Sequence, residues 1–227
     1  MYNREFHTAV ELNQISEVKS MLQTNSLDIN YQGEYGNTAF HIACENGYVE
    51  IVEHLLSFTN LNQEVRNEDG MTGVHLAAVH ERLEVLKVFL KFQIQWNVKD
   101  SIGRTPLHFI IGSSDMIKIV CEENQTNLDW NIQDDNGKSP IMHYDILKDR
   151  NILSTVTEHV KNINWNLEDN NNYTIAMTVA RNASLWPSMS SISHLLDWDH
   201  QNIHGESPLS IAENFDNFMV KTFLFCL

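Results

Sequence analysis

Gly103-Arg104-Thr105-Pro106-Leu107-His108 reads, taken once, as a turn glycine followed by a capped helix start. The chain repeats it. Gly36-Asn37-Thr38-Ala39-Phe40-His41 and Gly70-Met71-Thr72-Gly73-Val74-His75 come earlier. Gly137-Lys138-Ser139-Pro140 and Gly205-Glu206-Ser207-Pro208-Leu209 come later. Successive glycines of this set are 34, 33, 34 and 68 residues apart, the last being two periods. A fixed period near 33 with a T-P-L-H core is the pattern of a solenoid of helical hairpins. The fold class expected is therefore an all-α repeat solenoid.

Working outward, each residue of the pattern has a local job. The second position after the glycine, or its equivalent, is Thr38, Thr72, Thr105, Ser139, Thr174 and Ser207, and a hydroxyl there caps the new helix. Pro106, Pro140 and Pro208 fill the first helical position, where a missing N–H costs nothing. Gly73 stands in that position in the third repeat, so its helix start is less pre-organised. Asn46-Gly47 ends the first helix of the second repeat, and Val49, Ile51, Val52, Leu55 and Leu56 make the apolar stripe of the next helix. The first repeat aligns Phe6-His7-Thr8-Ala9 with Phe40-His41-Ile42-Ala43 but lacks the turn. Its polar Arg4, Glu11, Asn13 and Gln14 suit a capping repeat. The fourth repeat reads as having one extra residue in Gly112-Ser113-Ser114, with a second helix from Ile117 to Glu122. The later repeats degrade: Met142 takes the histidine position in the fifth, and Ser210 takes it in the seventh. In the sixth, Trp186-Pro187 leaves two options, a helix starting after Pro187 or a longer inter-helix loop.

Asn30, Gly36, Thr38, His41, Ala43, Gly47 and the Ile51-Val52 pair resemble the ankyrin repeat, and the resemblance covers essentially the whole chain. It implies a stack of helix-turn-helix units joined by β-hairpin loops. Residues 1–227 are expected to form a single domain with repeats at about 1–33, 34–67, 68–100, 101–134, 135–169, 170–202 and 203–227, the first and last acting as caps. His7, His41, His75 and His108 are then expected to hydrogen-bond backbone between repeats. Neighbours one repeat apart lie roughly 10 Å apart, too far to share a zinc whose ligands sit at about 2.0–2.1 Å, so no metal is expected. A second ladder, Trp96, Trp130, Trp165 and Trp198, recurs each time before Asn or Asp. It reads as a core seam, each ring burying about 150–250 Å², the alternative being an exposed aromatic surface.

The charge narrows the partner. With 30 acidic residues against 15 Lys and Arg, the net charge is −15, which argues against nucleic acid and anionic membrane and favours a basic protein surface. Cys44, Cys121 and Cys226 are scattered and read as reduced thiols. No apolar run follows Met1-Tyr2-Asn3-Arg4-Glu5, so no signal peptide is expected, and an intracellular, cytoplasmic or nuclear location follows. His80 and His143 have no nucleophile spaced to them. Asp134-Asp135 and Glu168-Asp169 fall in loops as solvated acids, and no phosphate loop or metal motif appears. Neither enzyme activity nor a cofactor is expected.

Recognition remains. The resemblance places hairpin tips and the exposed side of each first helix on a concave surface. The positions there without structural duty give the candidate partner-binding set: Glu34, Tyr35, Asn37, Arg66, Glu68, Met71, Val79, Ile102, Arg104, Asp135, Lys138 and Tyr173. Arg104 is read as the one residue of its motif free of such duty. The leading reading is a monomeric, non-catalytic module that inhibits, adapts or scaffolds a protein partner. The alternative is an array assembling through the apolar end Phe215, Phe218, Phe223, Leu224, Phe225 and Leu227. A third reading makes the chain a substrate, hydroxylated at Asn30.

Overall fold

The structure, a computed structural model, describes residues 2–24, 27–122, 128–143 and 149–224. Among them every regular element is helical. They fall into two compact units, Met1–Ile110 with Lys118–Asp129, and Ile111–Ile117 with Trp130–Leu227.

In the first unit, first helices Tyr2–Glu11, Ala39–Asn46, Gly73–Val79 and Leu107–Ile110 pack in succession. Second helices Ile15–Leu22, Val49–Leu56 and Leu83–Phe89 do the same. The core is the apolar stripe read from the sequence: Phe6, Phe40, Ile51, Leu55, Leu86 and Phe89 are fully buried. In the second unit, helix Ile175–Arg181 packs on Pro208–Asn214, which packs on Phe218–Leu224.

Each turn is built the same way. Asn67 N–H donates to the Met71 carbonyl at 3.0 Å and Asp100 N–H to that of Arg104 at 2.7 Å. The glycine before the last turn residue has a left-handed backbone, φ +72° at Gly70. A Cβ there would also meet Ser101 N at 2.5 Å, so Gly70 answers both to the turn and to the next hairpin. In the sixth repeat Asn172 takes this place at φ +54°, as asparagine can.

Three expectations are corrected. The second helix of the fourth repeat is Ser114–Glu122, not Ile117–Glu122. Its buried pair Met116-Ile117 comes eight residues after the histidine, whereas Ile51-Val52 comes ten after His41. The turn has lost two residues rather than gained one, and Leu107–Ile110 is correspondingly short. At Trp186-Pro187, a short α-helix Trp186–Met189 carries Pro187 in its first turn, flanked by the 3-10 turns Ala183–Leu185 and Ser190–Leu195. The tryptophan ladder is uneven: Trp96, Trp130 and Trp198 are buried, while Trp165 is half-buried.

Gly73 has a reason that the sequence hides. A Cβ on it would lie 2.7 Å from the Phe40 ring and 3.0 Å from Cys44 Sγ. The bulky Phe40 fills the space that the usual proline ring would need. Gly73→Ala is therefore expected to destabilise the protein by about 1–3 kcal/mol through overpacking, although alanine is the better helix former. Phe40→Leu in the same chain should recover part of the loss. Urea unfolding of the single and double variants decides it; a stabilised Gly73→Ala would refute the packing argument.

Candidate interaction surface

The hairpins are held in place by histidine. Thr38 N–H donates to His41 Nδ1 at 3.2 Å, and His41 N–H donates to Thr38 Oγ1 at 3.4 Å. A backbone N–H can only donate, so Nδ1 is the bare nitrogen and Nε2 carries the proton. That Nε2–H donates to the Met71 carbonyl of the next hairpin at 3.0 Å. The set recurs at His75, with Thr72 N–H on Nδ1 at 3.1 Å and Nε2 on the Arg104 carbonyl at 3.1 Å. His7 Nε2 reaches the Tyr31 carbonyl at 3.2 Å.

Burial opposes charging these rings. It lowers the pKa of His41 and of His7, and it brings His75 to about 4, against partial support from the Arg104 carbonyl and Asp100. Where histidine is missing the reciprocal cap fails: Ser139 Oγ and Thr174 Oγ1, three residues before Met142 and Met177, have no hydrogen-bond partner. Ser210 restores it in the seventh repeat, accepting from Ser207 N–H at 2.9 Å.

The hairpin acids are also structural. Asp100 Oδ1 accepts from Ile102 and Arg104 N–H at 3.0 and 2.8 Å. Asp134 Oδ1 accepts from Asn136 and Lys138 N–H at 2.9 Å each, and Asp169 Oδ1 from Asn171 and Tyr173 N–H at 2.8 and 3.0 Å. Asp134 is buried and Asp169 half-buried, so neither is the solvated loop acid expected. The signal was present: Asn67, Asp100, Asp134, Asp169 and Asn202 recur at the repeat period. The asparagine after the ladder position is likewise a clamp. Asn30 Nδ2 donates to the Asn60 carbonyl and its Oδ1 accepts from Asn62 N–H, both at 2.8 Å.

These bonds sort the candidate binding residues. Glu34, Tyr35 and Asn37 line one groove of 710 Å³ in the first unit, together with Arg4, Glu11, Tyr31 and Glu45. Tyr35 is 73% exposed and has a left-handed backbone at φ +55°, held by Glu68 N–H on its carbonyl at 2.9 Å. A bulky residue rarely adopts that conformation unless its surroundings impose it. Arg66, Glu68, Met71, Val79, Ile102 and Arg104 do not line this groove. Of these, Val79 and Ile102 are exposed apolar residues and Glu68 and Arg66 are exposed charges.

Arg104 is corrected outright: its Nε donates to Asp100 Oδ2 at 2.9 Å, and its guanidinium lies 4.5 Å from the centre of the Phe109 ring. The Asp100 side chain is fully buried, so Arg104 neutralises a carboxylate and has a structural duty. Asn37 is partly committed too, accepting from Asn67 Nδ2 at 3.0 Å. Asp135 is exposed, whereas Lys138 and Tyr173 line a separate cavity in the second unit. Sequence reasoning missed Glu11 and Tyr31, which reach the groove from the helix and the loop beside Gly33.

The family model described as Ankyrin repeats (3 copies) matches residues 6–100. These residues are ankyrin repeats. Among solved structures the chain is similar to the ankyrin repeat domain of Bcl-3, described as a unique member of the IkappaB protein family. That likeness has a TM-score of 0.79 at 18% identity and covers 94% of this chain and 97% of that one, so it is a likeness of fold. No curated protein matches the sequence. Ankyrin repeats generally mediate protein–protein interaction. Among the described residues, no helix is long and apolar enough to cross a membrane.

The histidine bonds make acid sensitivity a property of the ankyrin core. The folded pKa of His75, about 4, lies below its unfolded value near 6.5. Stability from the neutral ring is thus present above about pH 6.5 and lost as pH falls toward 4, by about 3 kcal/mol for this residue alone. His41 and His7 shift in the same direction. Urea midpoints measured between pH 7 and pH 4 should fall accordingly. His75→Gln, which keeps a capping side chain but cannot titrate, should flatten the profile; an unchanged slope would refute the assignment.

Proposed function

We propose that this protein is a non-catalytic recognition module that binds a basic segment of a partner protein through the groove of the first unit. It would act as an inhibitor, adaptor or scaffold. The observation that carries the reading is the groove's composition. Glu11, Glu34 and Glu45 face it against Arg4, with His7 held neutral, and Tyr31 and Tyr35 offer aromatic surface. A lysine or arginine entering such a groove meets carboxylates for its charge and ring faces for its stem. Tyrosine supplies large contact area with few torsions to freeze. The net charge of −15 would steer a basic partner toward the surface from a distance.

A fluorescein-labelled peptide alternating Lys and Arg with Gly is the probe, with its Glu counterpart as control. The basic peptide should bind with an affinity that falls with salt. Glu34→Lys and Glu11→Lys together should weaken it by about tenfold or more, and Tyr35→Ala should weaken it with little change in salt dependence. Equal binding of both peptides, or no effect of the paired charge reversal, would refute the reading.

One observation favours the assembly reading beside it. Phe218 is 72% exposed and Met219 is 50% exposed on the helix Phe218–Leu224. Phe223 does not belong to that surface, because its ring lies 4.9 Å from Trp186 and 5.4 Å from Trp198. Phe225 and Leu227 lie outside the described residues. The informative variant is therefore Phe218→Asp. Under this reading, light scattering finds a concentration-dependent mass that Phe218→Asp abolishes; a monomer throughout discards it.

A further inference from the structure

The second unit holds a cavity of 530 Å³ that the groove reading does not use. Its size falls in the range of about 300–1,000 Å³ found for ligand sites. Met142, Tyr173 and Phe215 supply apolar wall, and Phe215 keeps 54% of its surface in solvent. Met142 stands where His41 and His75 donate to the next hairpin's carbonyl, and its thioether has no proton to give. The fifth repeat opens with the 3-10 turn Pro140–Met142.

The cavity is lined by charges of both signs. Lys138 and Arg181 line it as cations. The lining acid, Asp169, has Oδ1 committed to the Asn171 and Tyr173 N–H groups. Glu206, the other acid acting on Tyr173, lies 2.8 Å from Asn202 Nδ2 through Oε2. Arg181 is already ordered: its guanidinium lies 5.1 Å from the centre of the Phe215 ring. An arginine stacked on a ring presents its fork with less entropy left to lose.

We propose that this cavity is a second recognition site, which takes an apolar side chain followed by a carboxylate from a peptide segment of a partner protein. The apolar group would cover Phe215 and Met142, and the carboxylate would take the N–H groups of Arg181, supported by the charge of Lys138. This chemistry is opposite in sign to that of the groove in the first unit, and the two sites stand or fall separately.

The probes are the C-terminal amides N-acetyl-Phe-Glu-NH2, N-acetyl-Phe-Gln-NH2 and N-acetyl-Phe-Lys-NH2, titrated into the ¹⁵N-labelled full chain. The expected result is saturable shifts of the Tyr173 and Arg181 amides in the millimolar range, with the Glu probe tighter than the other two by about fivefold or more. Arg181→Gln should reduce that preference to about none while the amide spectrum stays folded, and Lys138→Gln should halve it or more. Glu34→Lys should leave the titration unchanged. Equal binding of the three probes, shifts confined elsewhere, or a preference that survives Arg181→Gln would overturn the proposal.

Discussion

A neutral imidazole bonded on both sides is the constraint on which the first unit depends. His41 accepts a backbone N–H from its own cap on Nδ1 and donates from Nε2 to the carbonyl of the following hairpin. One ring therefore fixes a helix start and the distance to the next repeat together. The Nδ1 bond needs the uncharged form, the Nε2 bond does not, and burial outweighs the carbonyl's support for the charged ring. No other side chain of similar size offers an acceptor and a donor on opposite edges of a rigid ring.

The second unit follows from what happens without that ring. Methionine at 142 and 177 keeps the core filled but leaves the capping hydroxyls of Ser139 and Thr174 without partners. Serine at 210 repairs the cap with its own hydroxyl, yet it is too short to bridge to another hairpin. Elsewhere asparagine takes up anchoring work. Asn217, fully buried, donates to the Val179 and Ala180 carbonyls at 3.0 Å and accepts from Val220 N–H at 3.2 Å. The last helix is thus docked by an amide rather than by its apolar face alone, which leaves Phe218 free to lie outside.

Much of the fold was legible because it is periodic. Gly36, Gly70 and Gly103 announce the turns, Thr38 and Thr72 the caps, and Ile51-Val52 the buried stripe. The same periodicity concealed the duties of Asp100, Asp134 and Asp169, since an acid in a loop looks solvated until its backbone partners are seen. Arg104 misled for a related reason: the carboxylate it neutralises belongs to the hairpin, four residues back. For the candidate binding surface, Glu34, Tyr35 and Asn37 were readable as hairpin tips. Glu11 and Tyr31 were not, because a groove gathers residues from separate segments.

The sequence by itself determined the repeat, the helical class, the capping chemistry and the acidic character, all of which depend on local spacing and composition. Only the tertiary structure decided that Gly73 yields to Phe40, that the fourth repeat is two residues short in its turn, and which exposed residues share a cavity. Each of these turns on a distance between side chains that no spacing encodes. The 2.7 Å approach that a Cβ at position 73 would make to Phe40, and a buried carboxylate with its arginine, are defined only once the chain has brought these groups together.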